Sequence, residues 1–259
     1  MNKDINDILE KWPGERAEQS ARKIVGLDGT ELVQLRIDMG ILQMFVDGRP
    51  DGEKPFGQPS LLEHLQRVTR TQPEPAVEAD MWNELDREIM QYYHRRRALL
   101  ILGARSHAEG NPADAAGYYV RAVRDADHNL QIMDFIKTHC GDEEYVESHE
   151  QYRPFVLMHR TLAEAQSELI RDDPDEAIER LKAGIRTIED AYRQGEQADL
   201  ADQDPSLAQL RALERQVRAE HNVVQTLQEQ LDVAVTDEEY ERAAQLRDRL
   251  RQKRKRKSL

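Results

Sequence analysis

The sequence predicts a mainly α-helical protein with a small N-terminal antiparallel β-element, a central antiparallel helical bundle and a C-terminal helical hairpin. Three observations carry that prediction. Charged residues make up 34% of the chain and aromatic residues 5%, a solvated helical composition rather than that of a β-sandwich. Glu, Gln, Arg, Leu and Ala, all strong helix formers, dominate from Ala76 onward. A single stretch starting at Leu32 instead alternates apolar and polar residues. The expected domains are residues 1–72, 73–200 and 204–259.

Ile5, Ile8, Leu9 and Trp12 fall at helical spacing, so a short amphipathic helix is expected before Pro13-Gly14. Val33, Leu35, Ile37, Met39 and Ile41 then alternate with Gln34, Arg36, Asp38 and Gly40, which predicts a half-buried strand. A shorter strand around Lys23 to Val25 precedes it, with Asp28-Gly29 as the hairpin turn. Leu32, Leu35, Met39, Leu42 and Val46 also fit a 3,4 spacing, so a helix is the rival for this stretch. Asp47-Gly48 and Asp51-Gly52 mark two more turns around Arg49-Pro50, either a plain turn or a charged tip. Two or three strands need a packing partner in water, and a helix starting near Ser60-Leu61-Leu62 offers one.

After a Pro-containing linker, Thr69 to Pro75, the pattern is helical. Long helices are expected over about 76–108 and 113–137, with Gly110-Asn111-Pro112 between them. A third lies within 143–171, bent or broken at Pro154, and a fourth follows Asp172-Asp173-Pro174 to about Gln194. The short connections predict antiparallel neighbours. Leu99, Leu102, Gly103, Gly110, Ala115, Tyr119 and Ala122 have a spacing that resembles a tetratricopeptide unit. Ala165, Ala177, Leu181 and Gly184 repeat it more loosely, but Ala115 and Ala177 are 62 residues apart. An ordinary four-helix bundle is the other reading.

The chain carries a net charge of −13, which disfavours nucleic acid and anionic membranes as partners of the whole molecule. Its one cysteine, Cys140, excludes an intrachain disulfide. No apolar run approaches the roughly 18 residues of a membrane span, and the N-terminal segment is polar. A cytoplasmic protein without a membrane partner is expected. One cluster contains metal-ligating residue types: Asp125, Asp127, His128, Asp134, His139, Cys140, Glu143, Glu144, His149 and His159. Its spacing matches no zinc signature, and nucleotide-binding and nucleophile-elbow motifs are absent. No catalytic residue, metal or cofactor is expected, and the histidines are read as packed or solvent-facing side chains.

From Asp204 the chain changes character. Leu210, Leu213, Val217, Val224, Leu227 and Leu231 follow a 3,4 spacing interrupted by Glu220, a coiled-coil-like helix. Asp237 is the expected N-cap of a second helix, with Glu238 and Glu239 in its first turn. Ala243, Leu246 and Leu250 would face the first helix, and Ala244 would allow close approach. The stretch "LQEQLDVAVTDEEYERAAQLRDRLRQ", Leu227 to Gln252, resembles the UVR motif. That hairpin is shared by the UvrB and UvrC excision-repair proteins and some Clp-protease-associated factors. The resemblance rests on Leu227 and Leu231 and on Glu239, Tyr240, Glu241, Ala243, Ala244, Leu246, Arg247, Asp248 and Leu250, with Tyr240 where the family commonly has Phe. Nothing upstream resembles the helicase motifs of UvrB or the nuclease residues of UvrC.

The resemblance implies a protein–protein module. Its expected contact residues are Leu227, Leu231, Tyr240, Ala243, Ala244, Leu246, Arg247, Asp248 and Leu250. The expected partner is a UvrB/UvrC-type repair factor, a Clp-type unfoldase or a second copy of the chain. From Arg247 to Lys257 eight basic residues face one acidic residue, a net +7 that leaves −20 on the rest. The run Lys253, Arg254, Lys255, Arg256 and Lys257 therefore offers a salt-dependent nucleic-acid contact as the alternative. The leading expectation is a non-enzymatic adaptor; the alternative is an auxiliary nucleic-acid-binding protein of excision repair.

Overall fold

The computed structural model describes residues 5–12, 20–71, 77–195 and 198–257. Contacts divide the chain into two compact units, one up to Ala163 and one from Glu164. The expected stop at Pro13-Gly14 and the linker residues 72–75 lie outside the described residues.

The first unit opens with a short helix, α1 (Asn6–Lys11), followed by three strands, β1 (Ala21–Val25), β2 (Glu31–Ile37) and β3 (Gly40–Phe45). They form an antiparallel sheet in the order β1-β2-β3, pairing Lys23 with Val33 and Val33 with Met44. Period two therefore prevails over the rival helix. Ala21, Val33, Leu35 and Met44 are buried on the inner face. The other face carries a polar ladder, in which Arg22 Nε donates to Gln34 Oε1 at 2.7 Å and Gln34 Nε2 donates to Gln43 Oε1 at 2.8 Å. The Arg22 guanidinium also lies 4.2 Å from the centre of the Trp12 ring.

The alternating run from Leu32 to Ile41 is not one strand. It reverses at Asp38-Met39, and Ile37 pairs with Gly40. Neither turn residue has a positive φ, so the Asn-Gly type of signal that marks two-residue hairpins is absent there. Alternation continues through the reversal and hides it. At Gly52, by contrast, φ is +79°, and an added Cβ would clash with the Phe45 ring. Only glycine fits both demands.

The helices of this unit are α2 (Leu61–Thr71), α3 (Ala79–Ala108), α4 (Pro112–His139), α5 (Glu143–Glu150) and the start of α6 (Arg153–Ile170). Proline opens α4, where its missing N–H costs nothing. The break near Pro154 falls just before it, at Gln151-Tyr152. Leu61, Leu62, Leu65, Leu85, Ile132, Phe135 and Ile136 form one core cluster. α3 packs closely on α4 at Gly103, whose added Cβ would meet the Tyr119 ring at 2.8 Å. With 30 and 28 residues, α3 and α4 far outrun a unit of roughly 34 residues in total, so the pair is a long helical hairpin.

Between sheet and helices lies a buried polar network. Arg95 and Asp125 are both 0% exposed. Arg95 Nε and Nη2 each donate to an Asp125 oxygen at 2.7 Å, a bidentate pair. The remaining nitrogen, Nη1, donates to the carbonyls of Phe45 at 2.9 Å and Gly48 at 2.7 Å. One arginine thus ties the end of β3 and the following loop to α3 and α4. The Asp47–Gly52 loop consequently turns inward: Arg49 is buried, pairs with Glu84 and lies 3.5 Å from Glu88. Glu88 in turn accepts the Leu61 N–H at 2.8 Å and the Leu62 N–H at 3.3 Å, so it caps α2.

The second unit contains the end of α6, then α7 (Pro174–Gln194), α8 (Ala198–Ala201), α9 (Pro205–His221), α10 (Leu227–Thr236) and α11 (Tyr240–Lys257). Asp173 caps α7 by accepting the Glu176 N–H at 3.1 Å, and Asp204 caps α9. α7 packs on α9. It buries Ile178, Leu181, Ile185 and Ile188, while α9 buries Leu207, Leu210 and Val217. The single helical seam expected from Leu210 to Leu231 is broken at Asn222, which takes a left-handed conformation (φ 54°) and ends α9.

Asp125→Asn is expected to destabilise the first unit by about 3–5 kcal/mol, because it leaves the Arg95 charge buried without its carboxylate. Urea unfolding measures this. A change below about 1 kcal/mol, the range of exposed ion pairs, would show that the pair does not tie the loop to the helices.

Candidate partner-binding hairpin

The C-terminal hairpin begins with a capping box. Thr226 Oγ1 accepts the Glu229 N–H at 3.1 Å, and Glu229 Oε2 accepts the Thr226 N–H at 2.8 Å. Glu229 also gathers two cations, Lys182 Nζ at 2.8 Å and Arg218 Nη2 at 2.7 Å. Burial raises the Glu229 carboxyl, but Arg218, Lys182 and the Thr226 amide outweigh it and hold it at about 2. Thr226 Oγ1 in turn donates to Glu179 Oε1 at 2.6 Å. The start of α10 is therefore tied to α7 and α9 by polar bonds.

The reversal between α10 and α11 takes three residues. Asp237 is the C-cap of α10, with its N–H on the Val233 carbonyl, rather than the N-cap of α11. Glu238 has a φ of +59°, the left-handed region, which an acidic side chain occupies only at a cost. α11 then starts at Tyr240, and Ala243 donates to the Glu239 carbonyl. The run Asp-Glu-Glu looks like a helix start in sequence because acids favour an N-terminus; two of the three serve the turn.

Ala234, Ala243 and Leu246 form the interior of the hairpin, with Leu227 and Leu231 packed against them. Two alanines facing each other let the helices approach closely. Tyr240, at 69% exposed, Val235 at 54% and half-buried Ala244 face outward. With Leu231, Asp232, Ala243 and Arg247 they line an open groove along the hairpin. Arg247 and Asp248 are exposed and 3.7 Å apart. Leu250 lies at the other end, beside Leu227, in a cleft also lined by Asp175, Glu176, Glu179 and Lys253.

Eight of the nine expected contact residues separate into three sets. Ala243 and Leu246 are spent mainly on the hairpin's own interior, Leu231, Tyr240, Ala244 and Arg247 line the outer groove, and Leu227 and Leu250 sit against α7. Asp248 is exposed beside Arg247. Val235 belongs to the groove and is missing from the sequence-based set. Its exposure follows from the turn, which the sequence places one cap too early. The capping box was visible as Thr-x-x-Glu, whereas the Lys182 and Arg218 ties have no local signature.

Of the basic run, Lys253 reaches Asp173 at 2.6 Å and Asp175 at 3.2 Å. Burial lowers its pKa, but the two aspartates outweigh it and raise the ammonium above its ordinary value. Lys255 is exposed. The side chains of Arg254, Arg256 and Lys257 lie outside the described residues.

The histidine and acid cluster is dispersed into separate pairs. Asp125 binds Arg95, and Asp127 binds Arg160 at 2.6 Å. His128 meets Glu88 at 2.9 Å and stacks on Tyr92 with ring centres 3.8 Å apart. Asp134 binds Arg153, His149 binds Asp86, and His139 packs on Phe135. Cys140 contacts the Asp142 carbonyl, and Glu143 and Glu144 lie in the first turn of α5. His159 accepts from Arg96 at 3.3 Å, and burial together with Arg96 and Arg97 pushes its imidazole down to about 3. Among the described residues no group of three His, Cys, Asp or Glu side chains is placed to hold a metal ion. Among them no helix is long and apolar enough to cross a membrane.

The family model described as the UvrB/uvrC motif matches residues 222–256. The match begins at Asn222, the C-cap of α9, and takes in the capping box, α10, the turn and all but the last residue of α11. Residues 222–256 thus carry a UVR motif, a helical hairpin that mediates protein interactions. No curated protein and no solved structure matches the chain.

Glu229 has a lower pKa folded than unfolded, so its stabilisation is complete above the ordinary value of 4.5 and is lost as pH falls through about 2. Glu229→Gln is accordingly expected to cost about 1–2 kcal/mol at pH 7. The difference from the parent should close progressively as the pH falls toward 2. Denaturation midpoints across that range check it, and a difference independent of pH would count against the assignment. Leu246→Asp, which buries a charge in the hairpin interior, is expected to melt α10 and α11, seen as lost helical circular dichroism.

Proposed function

We propose that the protein is a non-enzymatic cytoplasmic adaptor that recruits a helical partner through the outer groove of its UVR hairpin. The observation that carries this reading is the exposed apolar line of Val235 and Tyr240 beside Leu231 and Ala244, within the matched segment. A large aromatic side chain left in water beside small residues is the kind of surface that a partner helix covers. Asp232 and Arg247 flank the groove with opposite charges, suited to fixing the register of a helix that carries both. A second UVR hairpin is the favoured partner, on a UvrB/UvrC-type repair factor, a Clp-type unfoldase or another copy of this chain. The long first unit is then the body that the hairpin brings to its partner.

The nucleic-acid reading is secondary. Its support is the exposed cations Arg249, Arg251 and Lys255 of α11, and it is weakened by Lys253, which is already bound to two aspartates. Such a contact would weaken steeply with salt and would weaken further on removing residues 253–259.

Tyr240→Asp places a charge on the groove while leaving the hairpin interior intact. It is expected to lower capture of UVR-bearing partners, and self-association measured by sedimentation, by more than about tenfold. Helical content should be unchanged. Undiminished association by a folded Tyr240→Asp protein would sink the groove as the contact.

A further inference from the structure

The two helices of the hairpin differ in length, 10 residues in α10 and 18 in α11. Counting outward from the turn, Ala234 falls opposite Ala243, Leu231 opposite Leu246 and Leu227 opposite Leu250. α10 ends there, and residues 251–257 of α11 run on for about 10 Å at 1.5 Å per residue. This overhang contains no apolar residue, so burial cannot hold it. What meets it is the acidic start of α7, where Lys253 Nζ bridges Asp173 at 2.6 Å and Asp175 at 3.2 Å. The same α7 turn, through Asp175, Glu176 and Glu179, walls the cleft that holds Leu227 and Leu250.

We propose that Lys253, paired with Asp173 and Asp175, is an electrostatic latch that holds the overhang of α11 on α7 and covers the Leu227–Leu250 end of the hairpin's apolar seam. In the latched state the outer groove at the turn end is open, and Leu227 and Leu250 are half-buried. Releasing the latch exposes more of Leu250 at that end of the seam and frees Lys253, while the ties of Thr226 and Glu229 still hold the start of α10 on α7. The attachment is ionic while the interior of the hairpin is apolar, so ionic strength acts on the first and spares the second. As a control on partner capture, the latch rests on the groove reading proposed above.

Hydrogen exchange of the full chain, with no partner present, tests the latch by itself. Raising NaCl from about 20 mM to about 500 mM is expected to speed amide exchange in residues 251–257 roughly five- to tenfold. Residues 230–236 and 243–247 should keep their protection. Lys253→Glu should reproduce the high-salt pattern at low salt, and the charge-swapped pair Asp175→Lys with Lys253→Glu should restore part of the protection, since Asp173 still faces residue 253. Binding of an apolar dye such as anilinonaphthalene sulfonate should rise with release. Exchange in 251–257 that ignores both salt and Lys253→Glu overturns the latch, whatever Tyr240→Asp does to association. Release without a rise in dye binding overturns the covering of the seam. Failure of the groove reading shows only in the Tyr240→Asp association measurement, so the two are separable.

Discussion

Arg95 and Asp125 are completely buried, and the arrangement of the first unit follows from that pair. A guanidinium taken out of water needs its donors filled, and only a carboxylate and two carbonyls in fixed positions fill them here. The carboxylate comes from α4 and the carbonyls from the end of β3 and its loop, so sheet, loop and helices are placed with respect to one another. Arg49, Glu88 and the first turn of α2 extend the same logic outward. A chain with 34% charged residues has little apolar material for its junctions, and it closes them with ions.

The second unit uses the device at a different depth. Glu229 collects Lys182, Arg218 and its own capping threonine at the entrance of the hairpin, where water still reaches. Such partly solvated ties position the hairpin more than they stabilise it. The apolar interior of α10 and α11 is small, built from two alanines and three leucines. Its outward face is what remains after those residues have been used, and that remainder is the candidate contact.

Element types were legible where periodicity was uninterrupted. α3, α4 and α7 follow from their apolar spacing and from Gly110-Asn111-Pro112 and Asp172-Asp173-Pro174. The turns were legible where glycine or proline marked them. Asp38-Met39 reverses the chain without a positive φ, and Asn222 and Glu238 turn it through the left-handed region without being glycine. Each therefore shifted or merged an element in the sequence reading. The hairpin itself was legible from Tyr240, the paired alanines and the Leu-Arg-Asp that follows them. Which of those residues faces outward was not, because facing depends on where the turn begins. The buried network was illegible for a related reason: Arg95 and Asp125 are 30 residues apart, and no local pattern distinguishes an arginine that will be buried from one on a solvated face.

The separations along the chain also order events in time. Ala234 and Ala243 are near neighbours in sequence, so α10 and α11 can close on each other as a local step. The contact of Lys253 with Asp175 spans 78 residues, and that of Arg105 with the Ala21 carbonyl spans 84. Loops of that size close later, since their ends must search a larger volume. When the whole chain refolds, the hairpin can therefore close before contacts of that span form. Closing of α10 on α11 and docking of α11 onto α7 are then two separate steps of refolding, the local one first.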